Sequence, residues 1–210
     1  MRDQELAAPE LVDIRIEGFT RSAFLVRGAV AAGAVYGAGA VSPFVSRALA
    51  QGGDVDILNF ALTLEYLEAA FYTQAVKKVS GMSSGVKTLA TELRDNETEH
   101  VDALKAAIES AGGKAVKAPG VDFGKAFSSE KSFLKLAQTL EDTGVSAYNG
   151  AAPGIESTDI LAAAGSIVQI EARHAALIRL ERGENPAPDA FDPSLDMQAV
   201  LDAVKPFVKA

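Results

Sequence analysis

One constellation of residues occurs twice in this chain, at helical spacing. Thr63-Leu64-Glu65 is followed after six residues by Tyr72, and Thr139-Leu140-Glu141 after six by Tyr148. Further on, Glu97-Thr98-Glu99-His100 begins 32 residues beyond Glu65, and Glu171-Ala172-Arg173-His174 begins 30 beyond Glu141. A Glu and a His three apart share one face of an α-helix but point to opposite faces of a strand. The duplication therefore predicts two copies of one helical hairpin, each presenting Glu…Tyr on its first helix and Glu-x-x-His on its second.

The segments that carry these residues read as helices throughout. Asp54–Val79 has apolar residues at Ile57, Leu58, Ala61, Leu62, Leu64 and Ala69 with no internal Gly or Pro, a period of 3.6. Asp54 or Asp56 is expected to cap its start, and Lys77-Lys78 suits its negative end. A turn at 80–85 leads to a second helix, Val86–Ala111, which Gly112-Gly113 stops. The connection that follows is long and contains Pro119 and Gly120. A third helix, Ser129–Ala152, ends at Pro153-Gly154, and Ser157-Thr158-Asp159 caps a fourth that runs to Arg182 before Gly183. Glu184–Pro193 carries three prolines and reads as an extended wrap, and Leu195–Val208 as a short terminal helix. Residues 51–210 show no sustained two-residue alternation. The expected fold is all-α: a four-helix bundle over 51–183 with two short links and one long crossover between the second and third helices, then a C-terminal extension, 184–210.

Residues 1–50 read as an address. Arg27 precedes an uncharged, Ala- and Gly-rich run from Gly28 to Val45, followed by Ser46-Arg47-Ala48-Leu49-Ala50, an A-x-A exit. A basic segment, an apolar run and a small-residue exit form an export signal. Thr20-Arg21-Ser22-Ala23-Phe24-Leu25 resembles a twin-arginine motif with Ser22 in place of the second arginine. The expectation is export to the periplasm, cell envelope or exterior, with cleavage after Ala50; the alternative is an uncut N-terminal anchor, the one membrane contact expected.

The remaining composition narrows the chemistry. Without cysteine there is no disulfide framework, thiolate zinc site, iron–sulfur cluster or cysteine nucleophile. The chain carries a net charge of −8. The two signs balance in residues 1–50, so this surplus belongs to the bundle and argues against nucleic acid as a partner. There are two histidines in all, His100 and His174, and each closes one copy of Glu-x-x-His. A single such pair in an acidic helix is ordinarily a solvated pair. Here the neighbours on the same faces are apolar: Ala90, Leu93, Val101 and Leu104 around Glu97, and Ile167, Val168, Ala175 and Ile178 around Glu171. A carboxylate on a buried stripe is costly unless paired, protonated or bound to metal, and Arg94 is the main basic candidate for Glu97. Glu65 and Glu141 also face inward. Two hairpins related by a pseudo-twofold axis would bring Glu65, Glu97, Glu141, Glu171, His100 and His174 to the bundle centre, the ligand set of a dinuclear carboxylate site.

Over residues 54–182 the sequence resembles the ferritin-like superfamily, including bacterioferritin, rubrerythrin and the exported ferritin-like proteins related to desiccation-associated proteins. The resemblance implies two iron or manganese ions bridged by Glu97 and Glu171, with Glu65 and His100, and Glu141 and His174, as terminal ligands. Tyr72 and Tyr148 stand where the family often keeps a tyrosine near the metals, in a redox or supporting role. Three departures stand out. Asn96 and Ile170 occupy the place of an aspartate that orients a histidine of the opposite hairpin. Glu68, with Gly144 as its counterpart in the second half, is a candidate extra ligand. The cysteine-rich electron-transfer module of rubrerythrin is absent.

The implied activity is a redox one, with dioxygen or peroxide as the small-molecule substrate: ferroxidase, peroxidase or catalase-like. The alternatives are an iron-storage cage subunit and a non-enzymatic envelope or desiccation-protection protein. A homodimer or larger homo-oligomer is compatible with any of the three.

Overall fold

A computed structural model of the chain describes residues 53–209, so the export-signal reading of residues 1–50 lies outside the described part. Four long helices run Asp54–Lys78 (α1), Ser84–Ser110 (α2), Glu130–Ala151 (α3) and Thr158–Glu181 (α4), followed by a short one, Met197–Val204 (α5). No strand occurs among the described residues; an isolated bridge pairs Val121 with Val208. Each end of the four long helices falls within two residues of its expected place. The terminal helix is shorter than expected, because Pro206 turns its last residues into a 3₁₀ segment, Lys205–Phe207.

Local chemistry explains most of the boundaries. Ser83 Oγ accepts from the Val86 amide and Ser157 Oγ from that of Ile160, both at 3.3 Å. Ser129 and Ser132 form a reciprocal capping box, each hydroxyl accepting from the other's backbone amide at 3.1 and 3.0 Å, which satisfies two donors the helix cannot. α2 and α4 end in Schellman motifs. Gly112 and Gly183 take left-handed φ values of 74° and 73°, and the next amides, of Gly113 and Glu184, donate to the carbonyls of Ile108 and Arg179 at 2.8 and 2.9 Å. The start of α1 departs from expectation. Gly53 stands at its N-cap with no side-chain cap. The Asp54 carboxylate instead accepts from the amides of Glu156 and Ser157, at 2.7 and 2.8 Å. Asp54 thus ties the first hairpin to the α3–α4 link, whose turn presents two amides that no helix uses.

α1 packs along α2 and α3 along α4, giving two hairpins face to face. Apolar clusters lie at both ends of the bundle. Along α1, Leu58, Ala61 and Leu62 precede Glu65 in one cluster, while Phe71, Tyr72 and Ala75 follow it in the other. α2 runs the opposite way, with Leu93 before Glu97 and Leu104 and Ile108 after it. The acidic residues therefore lie in a layer between two hydrophobic ends.

The crossover and the tail are fastened to this frame. Buried Asn59 donates to the Lys114 carbonyl at 3.2 Å and accepts from the Val116 amide at 2.8 Å, which fixes the first part of the crossover. Farther along, the tail pairs with it through Asp122 N to Phe207 O at 2.9 Å and Lys209 N to Gly120 O at 2.8 Å. A Cβ on Gly150 would meet the Leu195 carbonyl oxygen at 1.8 Å, so only glycine lets the tail backbone lie against α3. Val200 and Val204 of α5 complete the phenylalanine-rich core.

Candidate metal centre

Each helix of the bundle contributes to the acidic layer: Glu65 from α1, Glu97 and His100 from α2, Glu141 from α3, Glu171 and His174 from α4. All four carboxylates are fully buried, and His100 and His174 are 9% and 2% exposed. The six residues form two groups: Glu65, Glu97, His100 and Glu171; and Glu97, Glu141, Glu171 and His174. Within each group, four ligand-capable atoms lie within 4.8 Å of one another. Glu97 and Glu171 belong to both.

The imidazoles point their Nδ1 atoms into the layer. His100 Nδ1 lies 3.1 to 3.3 Å from oxygens of Glu171, Glu97 and Glu65. His174 Nδ1 lies 2.9 Å from Glu97 Oε1 and 3.4 Å from Glu141 Oε2. Proximity does not amount to full hydrogen bonding. Glu65 Oε2, Glu97 Oε1, Glu141 Oε2, both oxygens of Glu171 and His174 Nδ1 are buried without a hydrogen-bond partner among the described residues. Arg94, the basic side chain expected near Glu97, binds Asp95 instead, at 2.7 and 2.8 Å.

Four buried carboxylates facing two imidazoles make a strained electrostatic system. Burial, reinforced by the charge of Glu97, pushes Glu65 up to about 8. Burial also raises Glu171 well above the carboxylate range, with Glu97 and Glu65 adding to it. Glu97 goes the other way: burial opposes its charge, but the nearby His100 and His174 outweigh that and hold it at about 2. The histidines mirror this. Burial disfavours their charged forms, yet the surrounding carboxylates lift His100 to about 12 and His174 to about 10. Without a metal, protons supply the positive charge that these carboxylates require.

Around this layer, supporting contacts cross between the hairpins. Tyr148 donates to Glu65 Oε1 at 2.5 Å, and Tyr72 donates to Glu141 Oε1. Burial, with those carboxylates alongside, holds both hydroxyls well above their usual pKa, so they remain protonated donors. Asn96 places its amide 3.0 Å from His174 Nε2, on the side of the ring away from the carboxylates. Ile170 offers His100 no equivalent. Glu68 is buried but lies outside both four-residue groups. An ideal Cβ on Gly144 would meet Glu171 Oε2 at 3.0 Å and Glu68 Oε1 at 3.3 Å. The lack of a side chain at 144 is what makes room for both carboxylates.

A family model for the ferritin-like domain matches residues 53–184. The chain belongs to that family. A conserved hypothetical protein from Mycobacterium tuberculosis, known from its crystal structure, shares the fold. It is 21% identical, with a TM-score of 0.55 over 64% of this chain and 94% of that one. No curated protein matches the chain significantly. Within this ferritin-like domain, the buried Glu/His cluster could hold metal: its donors are carboxylate oxygen and imidazole nitrogen, and its unpartnered atoms converge on common points. Such donors suit iron or manganese. The repeat in the sequence pointed to all six residues, but not to the exchange of tyrosine hydrogen bonds between hairpins or to the space that Gly144 provides. The difference between Glu68 and Gly144 at matching positions was the one available sign of the latter.

Proposed function

We propose that the buried cluster is a dinuclear iron or manganese centre, and that the protein uses it for redox chemistry on dioxygen or peroxide outside the cytoplasm. The observation that carries this reading is the pair of four-residue groups sharing Glu97 and Glu171. Glu65 and His100 would complete one metal position, and Glu141 and His174 the other, with the shared glutamates as bridges. When bound, the ions would supply the one-electron redox steps of the chemistry.

The chain's own residues position and insulate. Tyr148 and Tyr72 occupy one oxygen of Glu65 and of Glu141, leaving the other oxygen of each to face inward as a ligand. Asn96 fixes the ring plane of His174; an amide can donate or accept, so it can serve either protonation state of Nε2. Full burial of the carboxylates excludes bulk water, which strengthens every interaction in the layer. The signal-like pattern of residues 1–50, a basic segment, an apolar run and a small-residue exit, is what favours a location beyond the membrane, and the acidic bundle would concentrate cations around it.

Metal analysis of the protein after anaerobic loading with Fe(II) or Mn(II) tests the centre. About two equivalents are expected for the wild type, and clear losses for Glu97→Ala and His174→Ala. Fewer than about two in the wild type, or full retention in both variants, would refute the assignment. Iron-dependent oxygen uptake and peroxide decay then separate a reactive centre from an inert one.

A further inference from the structure

The two halves of the bundle match at the ligands but not beyond them. Next to Tyr72, the space is filled by aromatic rings: Phe71 and Phe133 have centroids 5.5 Å apart, and Phe71 and Phe123 5.1 Å. The residue before Tyr148, which corresponds to Phe71, is Ala147. At that end of the bundle lies a cavity of about 740 Å³ instead, within the range of small-molecule sites. Alanines wall it: Ala103 and Ala107 from α2 and Ala111 just beyond its end, Ala147 and Ala151 from α3, and Ala163 from α4.

Its inner end reaches the ligand layer. Tyr148, Ala61, Leu104 and Ile167 line it. Ala61, Leu104 and Ile167 each stand four residues, about one helical turn, from Glu65, His100 and Glu171. The Tyr148 hydroxyl is itself bonded to Glu65. The cavity thus abuts the group made by Glu65, Glu97, His100 and Glu171. Charge sets the class of occupant. Asp54, Glu156 and Asp159 lie on its lining, and Lys, Arg and His do not. An anion would find no cationic side chain there, and apart from those three carboxylates the lining is glycine, apolar side chains, Ser110, Ser157 and Tyr148, which suits a hydrocarbon occupant.

We infer that this cavity binds an uncharged, mainly hydrocarbon small molecule, held against the Tyr148 side of the ligand layer. The inference goes beyond the redox reading and does not depend on which metal fills the centre, because its readout is binding alone.

Fluorescence titration of the full chain with the neutral dye Nile red provides the test. One saturable site per chain is expected, displaced by 1-decanol and much less by decanoate or decylammonium. Ala147→Phe, which copies the Phe71 arrangement, should weaken binding at least about tenfold. Ala107→Trp should do the same. The chain has no tryptophan of its own, so the new indole also reports directly on occupancy, and wild-type helical circular dichroism with cooperative thermal unfolding shows that either variant has folded. Absence of saturable binding, equal competition by either charged decyl compound, or unchanged binding in a folded Ala147→Phe or Ala107→Trp protein would overturn the inference.

Discussion

Gly144 and Glu68 occupy matching positions in the two halves, and each explains the other. A methyl group at 144 would press on Glu171 Oε2 from 3.0 Å, and the Glu171 carboxylate, fully buried against its neighbours, would have to shift away from the ligand group it shares. Gly144→Ala should therefore weaken metal binding by about 10–100-fold, the range seen when a ligand's support is disturbed. The roughly 1 kcal/mol that alanine gains over glycine inside a helix works in the opposite direction, on stability. A competition titration against a chelator, alongside thermal unfolding, separates the two effects. Tyr148→Phe keeps the ring and strips Glu65 Oε1 of its donor. The expected cost is about 1–3 kcal/mol in urea unfolding of the metal-free protein, the penalty for an unsatisfied buried acceptor.

At the level of elements, the helices are defined by their ends as much as by their faces. Ser129→Ala removes half of a capping box and should cost about 1 kcal/mol. Gly112→Ala forces a β-carbon into a left-handed conformation at φ 74° and should cost about 1–2 kcal/mol. Both sites are remote from the acidic layer, so thermal unfolding should shift while metal stoichiometry stays that of the wild type. A loss of metal in either variant would mean that the helix ends, and not only the facing stripes, set the position of the ligands.

For the whole molecule, the acidic layer couples folding to pH. Glu65, raised to about 8, and the histidines, raised to about 12 and 10, bind protons more tightly in the folded chain than in the unfolded one. The stability supplied by the histidines is fully present below their ordinary pKa of 6.5 and is lost as pH rises through about 10 for His174 and about 12 for His100. Glu65 works in the same sense from 4.5 upward to about 8. Glu97, depressed to about 2, contributes stability above 4.5 that is lost as pH falls through about 2. The metal-free protein is therefore expected to be most stable in mildly acidic solution, with its Tm falling steadily toward alkaline pH. Metal binding displaces these protons, so the Tm gained on adding Mn(II) should be larger at high pH than at low. Calorimetry with and without Mn(II) across this range checks both slopes; a metal-free Tm that rises with pH would contradict them.

The sequence by itself determined the helices, their ends and the identity of the inward-facing acids. Apolar periodicity, glycine stops and serine caps act over a few residues and can be read without a partner. The duplicated Glu…Tyr and Glu-x-x-His pattern extended that reach to the site, because a repeated unit implies its own symmetry axis. What lay across that axis was settled by tertiary structure. Tyr72 and Tyr148 each serve the opposite hairpin, Asn96 reaches His174 from the other half, and Asp54 binds the distant link at Glu156 and Ser157 and does not cap its own helix. Each of these contacts joins residues far apart in the chain, and the choice among competing donors depends on distances that only packing sets. The hollow beside Tyr148 is of the same kind: an alanine in the sequence marks a small side chain, and only the assembled bundle decides whether the space beside it is filled.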